Sequence, residues 1–374
     1  PVAPVPMYNK DLPTIGILHT GGTIASKVDY KTGGVETRFS PQELLGLFPE
    51  LKNICNINSL FIANMWSGDM RFNHYPIMVA AIRDEIKKGV KGIVLTHGTD
   101  TMHYTAAVLS FMLQNLKVPV IIVGAQRSSD RGSSDAGANL LAAAHFITKT
   151  DFTGVAICMH QDTNDEYGII LPGLKTKKLH SSRRDAFKAI NAKPYARVNY
   201  ETGEVEKISD YPEKTDDPFR VMDKIEHKVA LMKTHPNIMP EAIAFYRKNG
   251  YKGLIIEGTG LGHMSVNMPN KECAINNQVL DELGKLVKAG CVVVMTTQCV
   301  FGRVHPHVYS YGINIHKAGV IYGEDMHSET AFIKLAWLLG NYHDKDVIHM
   351  ITKNLCGELH ERTEFEKDFS PDFT

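Results

Sequence analysis

The stretch TIGILHTGGTIAS (residues 14–26) joins an apolar run to a turn that contains two adjacent glycines. Residues 15–18 are continuously apolar, which is typical of a strand covered on both faces in a parallel sheet. The run stops at Gly21 and Gly22, and Thr23 follows. Because glycines allow close approach of the backbone, such a turn would present the Thr23 hydroxyl with little steric cover.

Three further apolar runs of the same kind follow: GIVLTHG (92–98), PVIIVGA (119–125) and GVAICM (154–159). Stretches with helical apolar spacing lie between them, at 75–89, 101–116 and 133–148. Alternation of strands and helices predicts an α/β fold with a parallel sheet covered by helices.

A polar stretch interrupts this alternation and divides the chain. Strand-like runs resume at 228–234, 253–260, 291–298 and 318–323, with helical patterns at 240–249, 276–289 and 327–340. We therefore predict a larger N-terminal parallel-sheet domain and a smaller C-terminal α/β domain. The predicted segments are a linker (1–12), the N-terminal domain (13–198), an interdomain connection (199–228), the C-terminal domain (229–342) and a helical tail (343–374).

The composition excludes several classes of protein. The chain has 374 residues, of which 43% are hydrophobic and 22% are charged, as in ordinary globular proteins. Lys and Arg number 41, and so do Asp and Glu, so net charge gives no electrostatic basis for nucleic-acid binding by this chain alone. No apolar run approaches the ~20 residues of a membrane span, and we expect no membrane insertion.

The cysteines and the N-terminus bear on where the protein is found. None of the six cysteines form a CxxC pair, and Cys158 and Cys291 lie in apolar runs, which suits buried thiols in a reducing compartment. The proline-rich start lacks the features of a signal peptide. We predict a cytoplasmic protein and expect a natural N-terminal piece to be missing from this sequence.

A second glycine turn carries a threonine and a carboxylate. LTHGTDTMH (95–103) ends another strand-like run and contains Thr99 and Asp100. Ligands bind beyond the carboxyl ends of parallel strands, where a hydroxyl can attack a carbonyl if a base is near. Either turn alone is more often structural, with its threonine capping a helix. The two turns together favour a shared site.

The motifs TGGTIAS and THGTDTM resemble the two signatures of the asparaginase/glutaminase family, and the resemblance extends over about 12–340. It implies an asparaginase-like fold and hydrolysis of a side-chain amide. It also implies catalytic roles for Thr23, Thr99 and Asp100. Asp100 would bind the α-ammonium group of the substrate as well.

The same resemblance implies a catalytic lysine. In KKLHSSRRDAF (177–187), Lys178 stands at the family's spacing, and Lys177 is its close competitor. Since a threonine hydroxyl needs a base, the implied base is neutral Lys178 acting through Thr99. The resemblance favours Thr23 as the first nucleophile, with Thr99 activating the second step or the water, and leaves an attack by Thr99 open.

Substrate-binding residues are implied less completely. The segment MWSGDM matches the part of the family that holds the α-carboxylate, so Ser67 is a candidate ligand. Asparaginases commonly have Gln next, where this chain has Gly68, and Asp69 or the backbone could fill the gap. The family uses a backbone carbonyl at the position of Ala125 to accept from the substrate amide.

The polar stretch 27–38 follows the first catalytic turn and contains two adjacent glycines. Such a composition suits a lid that closes over substrate, with Tyr30 as the candidate contact to Thr23. An ordinary exposed loop is an equal alternative.

Longer segments resemble a narrower group, the D-type glutaminase chains of archaeal glutamyl-tRNA(Gln) amidotransferases. They include VGAQRSSDRGSSDAGANL, QCVFGRVHPHVY and GELHERTEF. The resemblance implies a glutaminase that supplies ammonia to an E-like partner subunit, which uses ATP and Mg to convert Glu-tRNA(Gln) to Gln-tRNA(Gln). It also implies a homodimer, tRNA contact through the complex, and an N-terminal β-barrel domain that this sequence lacks.

Two other functions stay open. The first is a stand-alone cytoplasmic L-asparaginase, and the second is a non-enzymatic scaffold or amino-acid sensor, which the intact catalytic set disfavours. His305 and His307 flank a proline without further ligands, so we predict no metal site. We expect no cofactor in this chain, which has no Walker, GxSxG or HExxH motif.

Overall fold

The computed structural model describes residues 8–22, 48–127 and 132–363, together with the backbone of the strands Ser26–Val28 and Val35–Thr37. The chain divides into two compact units, Pro1–Asp223 and Lys224–Thr374, each with its own sheet. The larger unit holds an eight-stranded sheet and the smaller a four-stranded one. The predicted α/β class is confirmed.

The strands of the first unit are β1 (Thr14–His19), β2 (Ser26–Val28), β3 (Val35–Thr37), β4 (Asn56–Phe61), β5 (Gly92–Thr96), β6 (Leu113–Gln114), β7 (Pro119–Val123), β8 (Gly154–His160), β9 (Tyr167–Pro172), β10 (Thr176–Lys178), β11 (Phe187–Ala189), β12 (Ala196–Asn199), β13 (Val205–Lys207) and β14 (Arg220–Val221). Its described helices are α1 (Tyr75–Lys87), α2 (Met102–Met112) and α3 (Ala136–Lys149).

The large sheet has the strand order β13-β12-β9-β8-β7-β5-β1-β4. Neighbours from β8 through β4 run parallel, and β9, β12 and β13 are added antiparallel. The four predicted strands are β1, β5, β7 and β8, which are confirmed as neighbours in the buried centre. Strands β4 and β12 were not predicted, because half-buried strands such as NINSLF mix polar with apolar residues.

Helix α3 packs closely on this sheet, in part through small side chains. Ala142, Ala143 and Ala144 are fully buried, and the backbones approach so closely that a Cβ on Gly168 of β9 would lie 2.6 Å from the Cβ of Ala142. Larger side chains of α3, among them Phe146 and Ile147, are buried in the same core, so helix and sheet are closely packed.

The second unit has a parallel sheet in the order β15-β16-β17-β18, formed by Val229–Lys233, Gly253–Gly258, Val292–Thr297 and Ile321–Tyr322. Its described helices are α4 (Pro240–Lys248), α5 (Asn276–Lys288), α6 (Ser310–Lys317), α7 (Ser328–Asn341) and α8 (Asp344–Met350). All four strands and the predicted helices α4, α5 and α7 are confirmed. Helix α6 was not predicted, since SYGINIHK is short and contains a glycine.

The polar stretch 199–228, predicted as a connection, contributes secondary structure to the first unit. Strand β13 pairs with β12 at the edge of the large sheet, and β14 pairs with β6. Val205 of β13 packs against the core beside α3. The chain passes from the first unit to the second at 223–224.

The segment after α8 is anchored by a buried ion pair. The side chains of Lys334 on α7 and Glu358 are fully buried, and their Nζ and Oε1 atoms lie 2.6 Å apart. Lys334 also donates to the carbonyl oxygens of Ile351, at 2.9 Å, and Lys353. The predicted helical tail is helical only over α8 among the described residues, because Lys334 takes up carbonyl oxygens that an extended helix would bond internally.

Candidate active site

Loops at the carboxyl ends of adjacent strands converge at one edge of the large sheet. Gly22 has φ +84°, and a Cβ on it would lie 2.4 Å from the backbone nitrogen of Gly98. A Cβ on Gly98 would lie 2.8 Å from the Cβ and Oγ of Ser67. Glycine at both positions therefore lets the loops after β1, β4 and β5 touch, as expected for a site at a strand edge.

A lysine, a threonine and an aspartate meet at this edge. Nζ of Lys178 lies 2.8 Å from Oγ1 of Thr99 and 2.8 Å from Oδ1 of Asp100. Lys178 ends β10, which pairs with β11, so its backbone is fixed by a short hairpin. The Lys178 side chain is 10% exposed, whereas that of Asp100 is 76% exposed. The carboxylate can therefore bind a cation from solvent while the lysine stays covered.

Gln126 is a neighbour of this cluster that the sequence did not single out. Oγ1 of Thr99 lies 3.3 Å from Oε1 of Gln126. The loop that carries Gln126 is clamped by the fully buried Asp135, whose carboxylate accepts from the backbone N–H groups of Gln126 and Arg127 at 3.0 Å. The only sequence signal was its place directly after Ala125.

The predicted substrate-binding residues lie on loops of the same unit. Ser67 and Ala125 are buried, and the carbonyl oxygen of Ser67 accepts from Oγ1 of Thr101 at 2.8 Å. Gly68 and Asp69 are exposed in the turn Ser67–Asp69. No described atom lies within 4 Å of a Cβ placed on Gly68, so the space for a larger side chain is open there.

Two predicted site residues, Thr23 and Tyr30, lie outside the described residues. Their roles as nucleophile and lid contact stay predictions. The chain is described up to Gly22, and Gly21 and Gly22 both have positive φ, which matches the glycine-dependent turn expected there.

Two buried histidines support the site without facing it. Nδ1 of His97 lies 2.6 Å from the carbonyl oxygen of Gly98, and Nε2 lies 2.9 Å from Oγ1 of Thr105. Burial lowers the pKa of His97 to about 4, against an opposing effect of the bond to Gly98, and burial alone lowers the pKa of His19 to about 4. Both are therefore neutral at pH 7, and Nδ1–H of His97 donates to Gly98 while Thr105 donates to Nε2.

These two histidines make the stability of the fold depend on pH. Their folded pKa of about 4 lies below the unfolded value of 6.5, so the unfolded chain binds more protons between these values. The stability that the two neutral histidines contribute is fully present above pH 6.5 and is lost as pH falls through about 4. We expect a loss on the order of 3 kcal/mol per histidine, measured by urea unfolding at stepped pH.

The variant His97→Gln should reduce this pH dependence, because it removes one of the two titrating groups. His235→Gln is the matched control, since His235 is exposed. An equal pH dependence in His97→Gln and the wild type would contradict the assignment.

Three further features of the described chain concern metal ligands, cysteines and membrane spans. No three His, Cys, Asp or Glu side chains of the described ranges cluster as metal ligands, and the rings of His305 and His307 are 5.8 Å apart. Cys158 and Cys291 are buried thiols, as predicted. Within the described ranges, none of the helices has the length and apolar character needed to cross a bilayer.

Known families match both units. The profile described as "Asparaginase, N-terminal" matches residues 14–211, and "Glutaminase/Asparaginase C-terminal domain" matches 228–351. Among solved structures, the thermostable L-asparaginase from Thermococcus kodakarensis aligns with a TM-score of 0.82 and 27% identity, covering 93% of this chain and 100% of the other. L-asparaginase I from Vibrio cholerae aligns with a TM-score of 0.80, also at 27% identity, over 93% and 99%.

Two relatives are more similar in sequence, and each carries the name of the D-type chain of a glutamyl-tRNA(Gln) amidotransferase. The one from Archaeoglobus fulgidus is 43% identical over 98% of this chain and 84% of its own length. The one from Methanococcus maripaludis is 45% identical over 96% of this chain and 83% of its own length. With both units matched and this level of identity, the chain belongs to the glutaminase/asparaginase family.

Proposed function

We propose that this chain is an amidohydrolase that releases ammonia from glutamine as the glutaminase subunit of a glutamyl-tRNA(Gln) amidotransferase. The observation that carries the proposal is the position of Lys178, whose Nζ bonds both Thr99 and Asp100. The identity of 43–45% to D-type amidotransferase chains over nearly the whole sequence supports the choice of glutamine and of the complex.

The roles of the residues follow from their chemistry. The Thr23 hydroxyl attacks the amide carbon and gives its proton to Lys178 through Thr99. The C–N bond then breaks as the nitrogen takes up that proton and leaves as ammonia. Lys178 serves as the base through Thr99, and water then attacks the Thr23 ester to release glutamate. Asp100 presents an exposed carboxylate to the α-ammonium group of the substrate. Ser67 and backbone N–H groups of the turn at Gly68 and Asp69 hold its α-carboxylate, since these groups can donate to an anion.

The ammonia is consumed by a second, E-like subunit that activates Glu-tRNA(Gln) with ATP and Mg. The names of the relatives support this division of work. A net charge of zero on this chain fits a subunit that meets tRNA through the complex. The place of action is the cytoplasm, a proposal supported by buried thiols and by a structural relative titled "Probable Cytoplasmic L-asparaginase" at 26% identity.

We also propose that the chain forms a homodimer. The second unit exposes apolar side chains near residues 300–311, including Val308, 54% exposed, and Tyr309, 50% exposed, whose ring stacks on that of Tyr311. Removing this surface from water would stabilise a dimer. Light scattering at micromolar concentration should give about twice the chain mass, and a fully active monomer would contradict the proposal.

A stand-alone L-asparaginase is the second candidate. The TM-score of 0.82 to a solved L-asparaginase favours it. Among the described residues, Gly68 favours the glutaminase over the asparaginase. Asparaginases commonly have Gln at this position, and the missing side chain leaves room for the additional methylene of glutamine. The space around a Cβ at this position is consistent with that account.

Ammonia release tests both candidates. The chain would be incubated with glutamine and with asparagine, alone and with the copurified partner subunit, ATP, Mg and Glu-tRNA(Gln). We expect faster release from glutamine and formation of Gln-tRNA(Gln) only in the complete mixture. Asparagine as the better substrate under every condition, with no partner copurifying, would favour the stand-alone enzyme. No release from either substrate would contradict both.

A further inference from the structure

Thr99 bonds two polar side chains but has only one hydroxyl proton. Lys178 Nζ is 2.8 Å away and the side-chain oxygen of Gln126 is 3.3 Å away. While Lys178 is an ammonium, it can only donate, so Thr99 accepts from it and donates its own proton to Oε1 of Gln126. In this arrangement the Thr99 proton points away from the group that must remove it.

The side chain of Gln126 has a second arrangement. Within the described residues, its Nε2 atom is buried without a hydrogen-bond partner. A half-turn of the amide exchanges oxygen for nitrogen with little change of shape. Nε2 then faces Thr99 and donates to Oγ1, which frees the Thr99 proton to point at Lys178. A buried donor without a partner costs about 1–3 kcal/mol, and the turned amide gives Nε2 a partner while placing Oε1 where Nε2 was.

The backbone of Gln126 is fixed, so the amide can turn without moving the loop. Asp135 binds the N–H groups of residues 126 and 127, and Nδ2 of Asn139 donates to the carbonyl oxygen of Gly124 at 3.0 Å. Asp135 and Asn139 are both fully buried. The motion is therefore confined to the end of one side chain.

We propose that Gln126 is a positioning residue whose amide orientation follows the protonation of Lys178. It accepts from Thr99 when Lys178 is charged and donates to Thr99 when Lys178 is neutral, so that the Thr99 proton is directed to Nζ. As that proton leaves, the same donor stabilises the negative charge that develops on Oγ1. This inference rests on the proposed amidohydrolase function and adds a residue to its proton path.

Among the described residues, three charged side chains lie around Thr99 and Gln126. Lys178 and Asp100 lie on one side, and Asp135 lies behind the backbone of Gln126 and Arg127 on the other. Asp135 is held by the backbone N–H groups of residues 126 and 127, whereas Lys178 is the charged group that bonds Thr99 directly.

The first test is the pH profile of ammonia release in Gln126 variants. Gln126→Glu has no donor and accepts from Thr99, so it favours charged Lys178, and we expect roughly a 100-fold lower kcat at pH 7 with the rising limb about one pH unit higher. Gln126→Met loses both functions, and we expect roughly a tenfold lower kcat without that upward shift. Gln278→Glu, the same change at an exposed position of α5, is the control.

The results separate this inference from the proposed function. Wild-type release in Lys178→Met and Thr99→Val would overturn the function itself. If those variants are inactive while Gln126→Glu has the wild-type profile, only the role of Gln126 is overturned. A purely structural role would lower activity at every pH without moving the limb.

A second measurement needs no turnover and serves if a variant misfolds. Selective ¹⁵N labelling of glutamine gives few side-chain amide signals, since the chain has Gln42, Gln114, Gln126, Gln161, Gln278 and Gln298. We expect the Gln126 signal to shift with pH in the wild type and to stay constant in Lys178→Met. A wild-type signal unchanged over the pH range in which activity rises would overturn the proposal.

Discussion

Lys178→Met should lower kcat for glutamine hydrolysis by roughly 10³-fold, the usual contribution of a positioned base. The variant removes the amine that lies 2.8 Å from Thr99 but keeps a side chain of similar length. Thr99→Val and Thr23→Ala should cause comparable losses. Because these residues act as a unit, double variants should be little worse than single ones. Single-turnover ammonia release measures the chemical step directly.

The control for this prediction is the adjacent residue. Lys177→Met makes the same change one position earlier on β10, where the register pairs Lys177 with Lys188. We expect near-normal turnover from it. Circular dichroism should show an unchanged fold for Lys178→Met, since its ion-pair partner Asp100 is largely exposed and can be solvated. Loss of activity in Lys177→Met with normal release by Lys178→Met would contradict the assignment.

Lys334→Met should reduce the free energy of unfolding of the second unit by about 3–5 kcal/mol, because it leaves a buried charge without its partner. Glu358 is fully buried and pairs with Lys334 at 2.6 Å. The variant also leaves the carbonyl oxygen of Ile351 without the lysine donor. Burial lowers the pKa of Lys334, and the charge of Glu358 opposes this effect. Urea unfolding followed by circular dichroism gives the change.

An exposed ion pair provides the control for Lys334. Lys285 on α5 bonds Asp281 at 2.6 Å and Glu282 at 2.9 Å, but its side chain is 50% exposed. Lys285→Met should cost only about 0–1 kcal/mol, since solvent screens such pairs. Equal effects of the Lys334 and Lys285 substitutions on the free energy of unfolding would show that burial does not determine how much an ion pair contributes to stability.

The sequence determined the fold class through its most buried strands. Continuous apolar runs such as TIGILH and GIVLTHG could be covered only inside a helix-flanked parallel sheet, and β1 and β5 are confirmed there. Strands at sheet edges were not predictable in this way. Strand β4 has no fully buried residue, so its pattern carries little of the two-residue period that identifies a strand.

The residues of the candidate site also differ in how far the sequence alone could identify them. Thr99 and Asp100 were marked by a local signal, a glycine turn after an apolar run, while Lys178 came only from resemblance to a family. Lys178 is separated from Thr99 by 79 residues, and no local pattern reports a contact of that range. The tertiary structure brings them together because α2, which follows Thr99 in the chain, contacts β10, which ends at Lys178.

Only the tertiary structure revealed the roles of Gln126, Asp135 and Lys334. Each is polar, and in a sequence a polar residue is expected at the surface. Their importance comes from burial and from partners distant along the chain, as with Lys334 and the carbonyl oxygen of Ile351, 17 residues away. A sequence thus determines where its apolar segments must be covered, whereas the folded chain decides which polar groups lose water and must bond one another.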